Sequence, residues 1–245
     1  MKRLLLPALL FTTLTACTAA PADTLPAAAP TPTPTSTPAP TAAPAPADAL
    51  TPEEKIGQLF IIRPDALDLT LPQETINDAK ADGVTMLTDA MRETLQAYPV
   101  GGICQFGKNI TDPEQLAQFN ADLQAASRTP LFIAVDEEGG AVARLANHPA
   151  FDLPQYESAA AVGASGDPAD ACAMGQTIGA YLKEYGFNMD FAPDADVNTN
   201  PDNPIIGTRA FSSDAATAAE MAAAAADGLR TGGILPTLKH WQAAE

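Results

Sequence analysis

The chain has 245 residues, 46% of them hydrophobic and only 6% aromatic, enough to bury one sizeable core, so one domain with appendages is the expected organisation. Its 30 acidic residues outnumber 13 basic ones and give a formal charge of −17. That balance excludes nucleic acid, or an anionic membrane face, as an electrostatic partner.

The chain opens with MKRLLLPALLFTTLTAC, in which Lys2 and Arg3 precede an apolar stretch from Leu4 to about Leu14 and small residues lead into Cys17. This is the three-part grammar of a secretory signal, and it is too short to remain as a membrane-spanning helix. The ending LTAC resembles the lipobox of bacterial lipoproteins, which implies a signal peptide over residues 1–17 and lipidation of Cys17. Ordinary cleavage near Ala16 or Ala20 is the alternative, and either route takes the protein out of the cytoplasm. The expected location is the cell envelope, with the membrane as a partner through the lipid anchor. Residues 18–50 are almost wholly Ala, Pro and Thr. Such a segment offers no core, favours polyproline II, and at about 3.1 Å per residue reaches on the order of 100 Å, which suits a tether.

Order is expected from Thr51, the start of a domain over 51–245. TPEEKIGQLF has Thr51 as N-cap, Pro52 at the first helical position and Glu54 three residues after the cap, the pattern of a capping box. TDPEQLAQFNADLQAAS begins in the same way at Asp112, with Leu116, Phe119, Asn120 and Leu123 at helical spacing. GDPADACAMGQTIGAYLKEYG repeats the Asp-Pro start and stops on Gly186, and SDAATAAEMAAAAADGLRTGG predicts a fourth helix.

Short apolar runs stand between these helices: GGICQF (101–106), PLFIAVD (130–136), FNMDFAPDADV (187–197), GGILPTLKH (232–240) and, more weakly, IGQLFII (56–62). Continuous apolar strands alternating with helices predict an α/β protein with a parallel sheet covered on both faces. Polar residues gather just after the strands, at Asp136, Asp194, Asp196, Lys239 and His240, where a (β/α)8 barrel carries its site. Cys104 lies in a strand-like run and Cys172 in a helix-like one. With no CxxC pattern or histidine partner, both are expected to be small buried residues.

VDEEGGAVARL (135–145), FAPDADVNTNPDNPIIGTRAFSSD (191–214) and LKH (238–240) together resemble the N-terminal barrel of glycoside hydrolase family 3, most closely its bacterial β-N-acetylhexosaminidases. The three motifs occur in order and in register. The resemblance implies a (β/α)8 TIM-barrel type fold, of which about the first five β/α units are present. It implies hydrolysis of terminal β-linked N-acetylhexosamine from peptidoglycan or chitin-type oligosaccharides, with that terminal N-acetylglucosamine as the ligand. The alternatives are a β-glucosidase of the same family and a non-catalytic envelope lipoprotein that binds amino sugars.

By the same resemblance Asp136, Arg144, Arg209, Lys239 and His240 hold the sugar. In DEEGG the glycines permit left-handed backbone beside a carboxylate, and Arg209 presents five donors in a planar fork suited to sugar oxygens. Ala141 stands where the family usually has arginine. Asp194 and Asp196 read as hydrogen-bonding groups at a strand end. The family's His-Asp acid/base dyad and aspartate nucleophile are expected beyond Glu245, so no catalytic residue is assigned within the chain. Roughly 195 residues follow position 50, whereas a closed barrel typically has about 250. No P-loop, GxGxxG or HExxH is present, and the only histidines are His148 and His240. These absences argue against a nucleotide and a histidine-rich metal centre; the implied hydrolysis needs no cofactor.

Overall fold

A computed structural model describes residues 50–240, all within one compact unit. The expected signal, Cys17, the Ala/Pro/Thr-rich segment up to residue 49 expected to be a tether, and the last five residues lie outside the described part.

The chain enters through helix α1 (Pro52–Gly57), whose capping box is complete: Thr51 Oγ1 accepts from Glu54 N–H and the Glu54 carboxylate accepts from Thr51 N–H. Strand β1 (Ile61–Ile62) follows, then a 3-10 turn, α2 (Gln73–Asn77), α3 (Asp89–Ala97) and β2 (Gly102–Cys104). Next come α4 (Pro113–Ala126), β3 (Phe132–Val135), the hairpin strands β4 (Glu137–Gly139) and β5 (Val142–Ala143), and α5 (Ala159–Gly163). The chain continues through α6 (Pro168–Glu184), β6 (Met189–Asp190), α7 (Ala215–Thr231) and β7 (Leu235–Pro236). Aspartates 112, 167 and 214 cap α4, α6 and α7 by accepting a backbone N–H of the first turn, which explains why the Asp-start pattern located these helices.

The main sheet has the order β1-β2-β3-β6-β7, and every neighbouring pair is parallel. Consecutive strands joined through helices give the expected α/β succession. The pleat divides the strands between two layers. Ile103 and Ile133 face the main core with Leu116, Phe119, Leu123 and Leu182 from the helices, whereas Cys104, Ala134 and Met189 form a smaller cluster on the other face. Helices α6 and α7 pack closely through small residues: a Cβ on Gly175 would stand 2.2 Å from the Ala225 carbonyl oxygen, and one on Gly228 2.1 Å from that of Cys172.

Several expectations need correction. The run 56–62 is divided, since Ile56 and Gly57 end α1 and only Ile61 and Ile62 pair with β2. Helix α3, capped by Thr88, was not predicted, nor was the β4–β5 hairpin. Cys104 is buried as expected, but Cys172 is only half-buried because it lies at the flank of the α6–α7 contact. Among the described residues no helix is long and apolar enough to cross a membrane.

Candidate functional site

The expected residues converge at the C-terminal ends of the parallel strands. Asp136 follows β3 directly, Asp194 and Asp196 follow β6, and Lys239 and His240 follow β7, and they are joined there by Glu138 of β4, which was not among the expected residues. An isolated parallel bridge between Asp194 and Lys239, with Ala195 N–H donating to the Lys239 carbonyl at 2.6 Å, brings the last two segments side by side. Gly139 and Gly140, at φ of 84° and 62°, turn the chain back after the paired acids. A side chain at either φ would be strained, so the turn needs the glycines expected of it.

Lys239 Nζ donates to Asp136 Oδ1 at 2.6 Å and lies 2.5 Å from Glu138 Oε1. Arg209 clamps Glu138 with two parallel hydrogen bonds, Nε to Oε2 at 2.8 Å and Nη2 to Oε1 at 2.7 Å. Its Nε also stands 3.6 Å from Asp194 Oδ2, and its Nη1 donates to the Ile205 carbonyl. The Glu138 bonds, the largest cause, hold the Arg209 guanidinium above the usual arginine range against some desolvation. Arg144 is a looser member, its Nη2 3.8 Å from Asp136 Oδ2. His240 is exposed, with Nδ1 2.7 Å from Asp196 Oδ2 and Nε2 3.3 Å from Arg209 Nη2. A carboxylate only accepts, so Nδ1 carries the proton toward Asp196 and Nε2 turns its lone pair to the guanidinium. All five residues assigned to sugar binding thus belong to one network, joined through carboxylates.

Beneath this network lie two acids that sequence reasoning did not single out. Glu137 is buried and accepts the backbone N–H groups of Arg144, Leu145 and Ala146 and the Tyr181 hydroxyl. It thereby pins the segment that carries Arg144. Burial pushes its carboxyl above the usual range, with those hydrogen bonds opposing the shift. Asp190, fully buried in β6, accepts the Glu137 N–H at 3.0 Å, while its Oδ2 has no hydrogen-bond partner among the described residues. Desolvation raises its carboxyl well above the ordinary value.

Glu138 is the other residue missed, although it joins Arg209 to Lys239. The available signal was the doubled acid in DEEGG: on a pleated segment, alternate residues share a face, so Glu138 should accompany Asp136. In the upper network Asp136, Glu138, Asp194 and Asp196 face Arg144, Arg209 and Lys239, one carboxylate more than the cations. Burial, followed by the neighbouring Asp196 charge, raises the carboxyl of Asp194. The ligand atoms of Asp194, Asp196 and His240 lie within 4.8 Å of one another, close enough to hold a metal ion, but Arg209 already places a cation against Asp194.

A parallel α/β sheet with a charged, donor-rich site at the carboxyl ends of its strands defines the class of barrel-type proteins that bind ligands at that face. Residues 51–244 match the family model described as the glycosyl hydrolase family 3 N terminal domain, and the chain belongs to this family. It is 33% identical over 163 residues to beta-hexosaminidase A of Pseudoalteromonas piscicida, covering 64% of this chain and 27% of that protein. Over 206 residues it is 32% identical to beta-hexosaminidase LpqI of Mycobacterium tuberculosis, covering 78% of this chain and 43% of the relative. It therefore spans from about a quarter to less than half the length of these curated relatives. Among solved structures, a glycoside hydrolase family 3 beta-N-acetylglucosaminidase from Paenibacillus sp. str. FPU-7 superposes with a TM-score of 0.65 at 33% identity, covering 79% of this chain and 33% of that one. The fold is of the (β/α)8-barrel type, and five parallel strands of it lie among the described residues.

Proposed function

We propose that this chain supplies the sugar-binding part of a β-N-acetylhexosaminidase, holding a terminal β-linked N-acetylglucosamine with Asp136, Arg144, Arg209, Lys239 and His240. The observation that carries the reading is the convergence of Arg209 and Lys239 on the buried Glu138 at the strand ends. Two cations fixed in this way retain outward N–H donors for sugar hydroxyl and amide oxygens, while Asp136 offers an acceptor beside them. Hexosaminidase relatives that share the family domain add weight. Residues 1–17 act as a lipoprotein signal with Cys17 as the lipidated residue, residues 18–50 tether the domain of residues 51–245, and the protein works at the cell envelope; the signal grammar and the Pro-rich spacer support this arrangement.

The test is calorimetric titration of the full chain with N,N′-diacetylchitobiose and, in parallel, cellobiose. Preference for the acetamido sugar is expected, and Arg209→Ala and Asp136→Ala should each weaken its binding by about 1.5–3 kcal/mol, the value of a charge-assisted hydrogen bond. Folded variants that bind chitobiose as tightly as the wild type would remove these residues from the site.

A further inference from the structure

At the amino ends of the parallel strands, the end of the sheet away from the sugar network, lies an apolar groove of about 510 Å³. Glu53, Ile56 and Phe60 line it from α1 and the turn into β1, and Tyr98, Pro99 and Val100 line it from the segment between α3 and β2. Its two walls are tied together. Gln58 Nε2 donates to the carbonyls of Pro99 and Val100 at 2.9 and 3.1 Å, and the Gly101 N–H donates to the Phe60 carbonyl at 2.9 Å. A Cβ on Gly57 would stand 2.5 Å from the Pro99 carbonyl oxygen, so α1 lies directly against the other wall. The fold therefore holds the groove in place, yet Ile56, Phe60 and Tyr98 remain 58%, 55% and 65% exposed. Neither aromatic side chain stacks on another ring among the described residues. Apolar side chains gathered in this way mark a surface that something covers.

The occupant is indicated by where the described chain begins. Leu50 stands one residue before the N-cap of α1 and three before Glu53 in the groove wall. The residues ahead of it, APAPADA (43–49), are the first of the compact unit that contains the groove. Pro44 and Pro46 alternate with alanine there, a pattern that favours polyproline II, and proline-rich segments of that kind dock in aromatic-lined grooves because little conformational entropy remains to be lost. Seven residues at about 3.1 Å each span roughly 20 Å, twice the ~10 Å rise from Glu53 to Phe60 along a helical path. The segment can thus turn back at Thr51 and run the length of the wall. Attachment so close to the groove gives an effective concentration on the order of millimolar, which makes weak contacts persist. A second copy of the chain would instead bring its own charge of −17 against Glu53 and Glu54. We propose that residues 43–49 occupy this groove, with the rings of Pro44 and Pro46 against Phe60 and Tyr98. The segment that precedes the domain is thereby fixed at the end opposite the sugar network, and the inference depends neither on the sugar-binding reading nor on lipidation of Cys17.

The experiment is isotope-edited NMR on the full chain. The ring protons of Pro44 and Pro46 are expected to shift upfield under the aromatic ring currents and to show nuclear Overhauser contacts to the Tyr98 and Phe60 rings. Tyr98→Ala should abolish the contacts to that ring and move the proline signals back toward random-coil positions, and its exposure means that the fold survives the change. Replacing Pro44 and Pro46 together by serine alters no described residue, and should return the Tyr98 ring signals to those of a solvent-exposed tyrosine. Proline signals at random-coil positions in the wild type, or an upfield shift untouched by Tyr98→Ala, would overturn the inference. Ring contacts to a second copy in a mixed-label sample, or to the acyl chains of phosphatidylcholine bicelles, in place of the proline contacts would overturn it as well.

Discussion

Glu138→Gln removes one negative charge and almost no volume from a side chain that Arg209 grips twice and Lys239 once. The glutamate side chain is 3% exposed and the arginine 17%, so solvent screens the pair little. Each hydrogen bond to a charged group contributes about 1.5–3 kcal/mol, and breaking a buried ion pair by neutralising one partner costs about 3–5 kcal/mol. Two features moderate the loss. Lys239 keeps its 2.6 Å bond to Asp136, and Arg209 keeps Asp194 at 3.6 Å. Glutamine also preserves one acceptor oxygen, although its amide N–H₂ then opposes a guanidinium donor. The net destabilisation should be about 3 kcal/mol, which lowers the urea midpoint by roughly 1–2 M for an unfolding slope of about 2 kcal/mol/M. With both cations released from their fixed geometry, chitobiose affinity should fall at least about tenfold. Pairing the substitution with Arg209→Met should be strongly non-additive, since both changes break the same contact. A midpoint shift below about 0.3 M together with unchanged sugar affinity would refute the view of Glu138 as the residue that organises the site.

Gly175→Ala places a methyl against the Ala225 carbonyl at the α6–α7 crossing and should cost about 1–3 kcal/mol; thermal melts that match the wild type would contradict the close packing read there. Cys17→Ser should move the protein from the membrane to the soluble fraction or block its processing, and a wild type already soluble with its mature N-terminus elsewhere would end the lipoprotein reading. Asp190 is raised by burial, so the folded chain keeps a proton that the unfolded chain releases from about pH 4 upward. Its contribution is therefore full below that pH and declines as pH rises toward the folded value, by at most about 1.4 kcal/mol per unit. Asp190→Asn should remove this decline, and parallel stability curves for variant and wild type between pH 4 and 7 would refute it.

What could be read in the sequence depended on whether a feature was local. Asp112, Asp167 and Asp214 announced their helices because a cap bonds within one turn, and the glycines after DEE announced a turn because only backbone dihedrals were involved. The five parallel strands were found as apolar runs, yet their paired lengths are only two to four residues, since register depends on the neighbouring strand and not on the run itself. Arg209 and Lys239 were placed at the site by family motif, but the carboxylate uniting them lies 71 residues before one and 101 before the other. No periodicity links positions so far apart.

The tripeptide Asp136-Glu137-Glu138 shows how one short stretch supports both the site and the fold. Alternation along an extended backbone sends Asp136 and Glu138 toward Lys239 and Arg209, and sends Glu137 the opposite way, into the interior beside Tyr181 and Asp190. The outward pair meets cations that hold its charge at the strand ends. The inward acid has no cation partner among the described residues and is satisfied by three backbone N–H groups and a phenol, which fix the course of residues 144–146. Arg144, joined to the site through Asp136, is therefore positioned by a carboxylate that points away from that site. The same residue type serves opposite purposes one position apart, and what separates them is the pleat of the chain rather than the chemistry of the side chain.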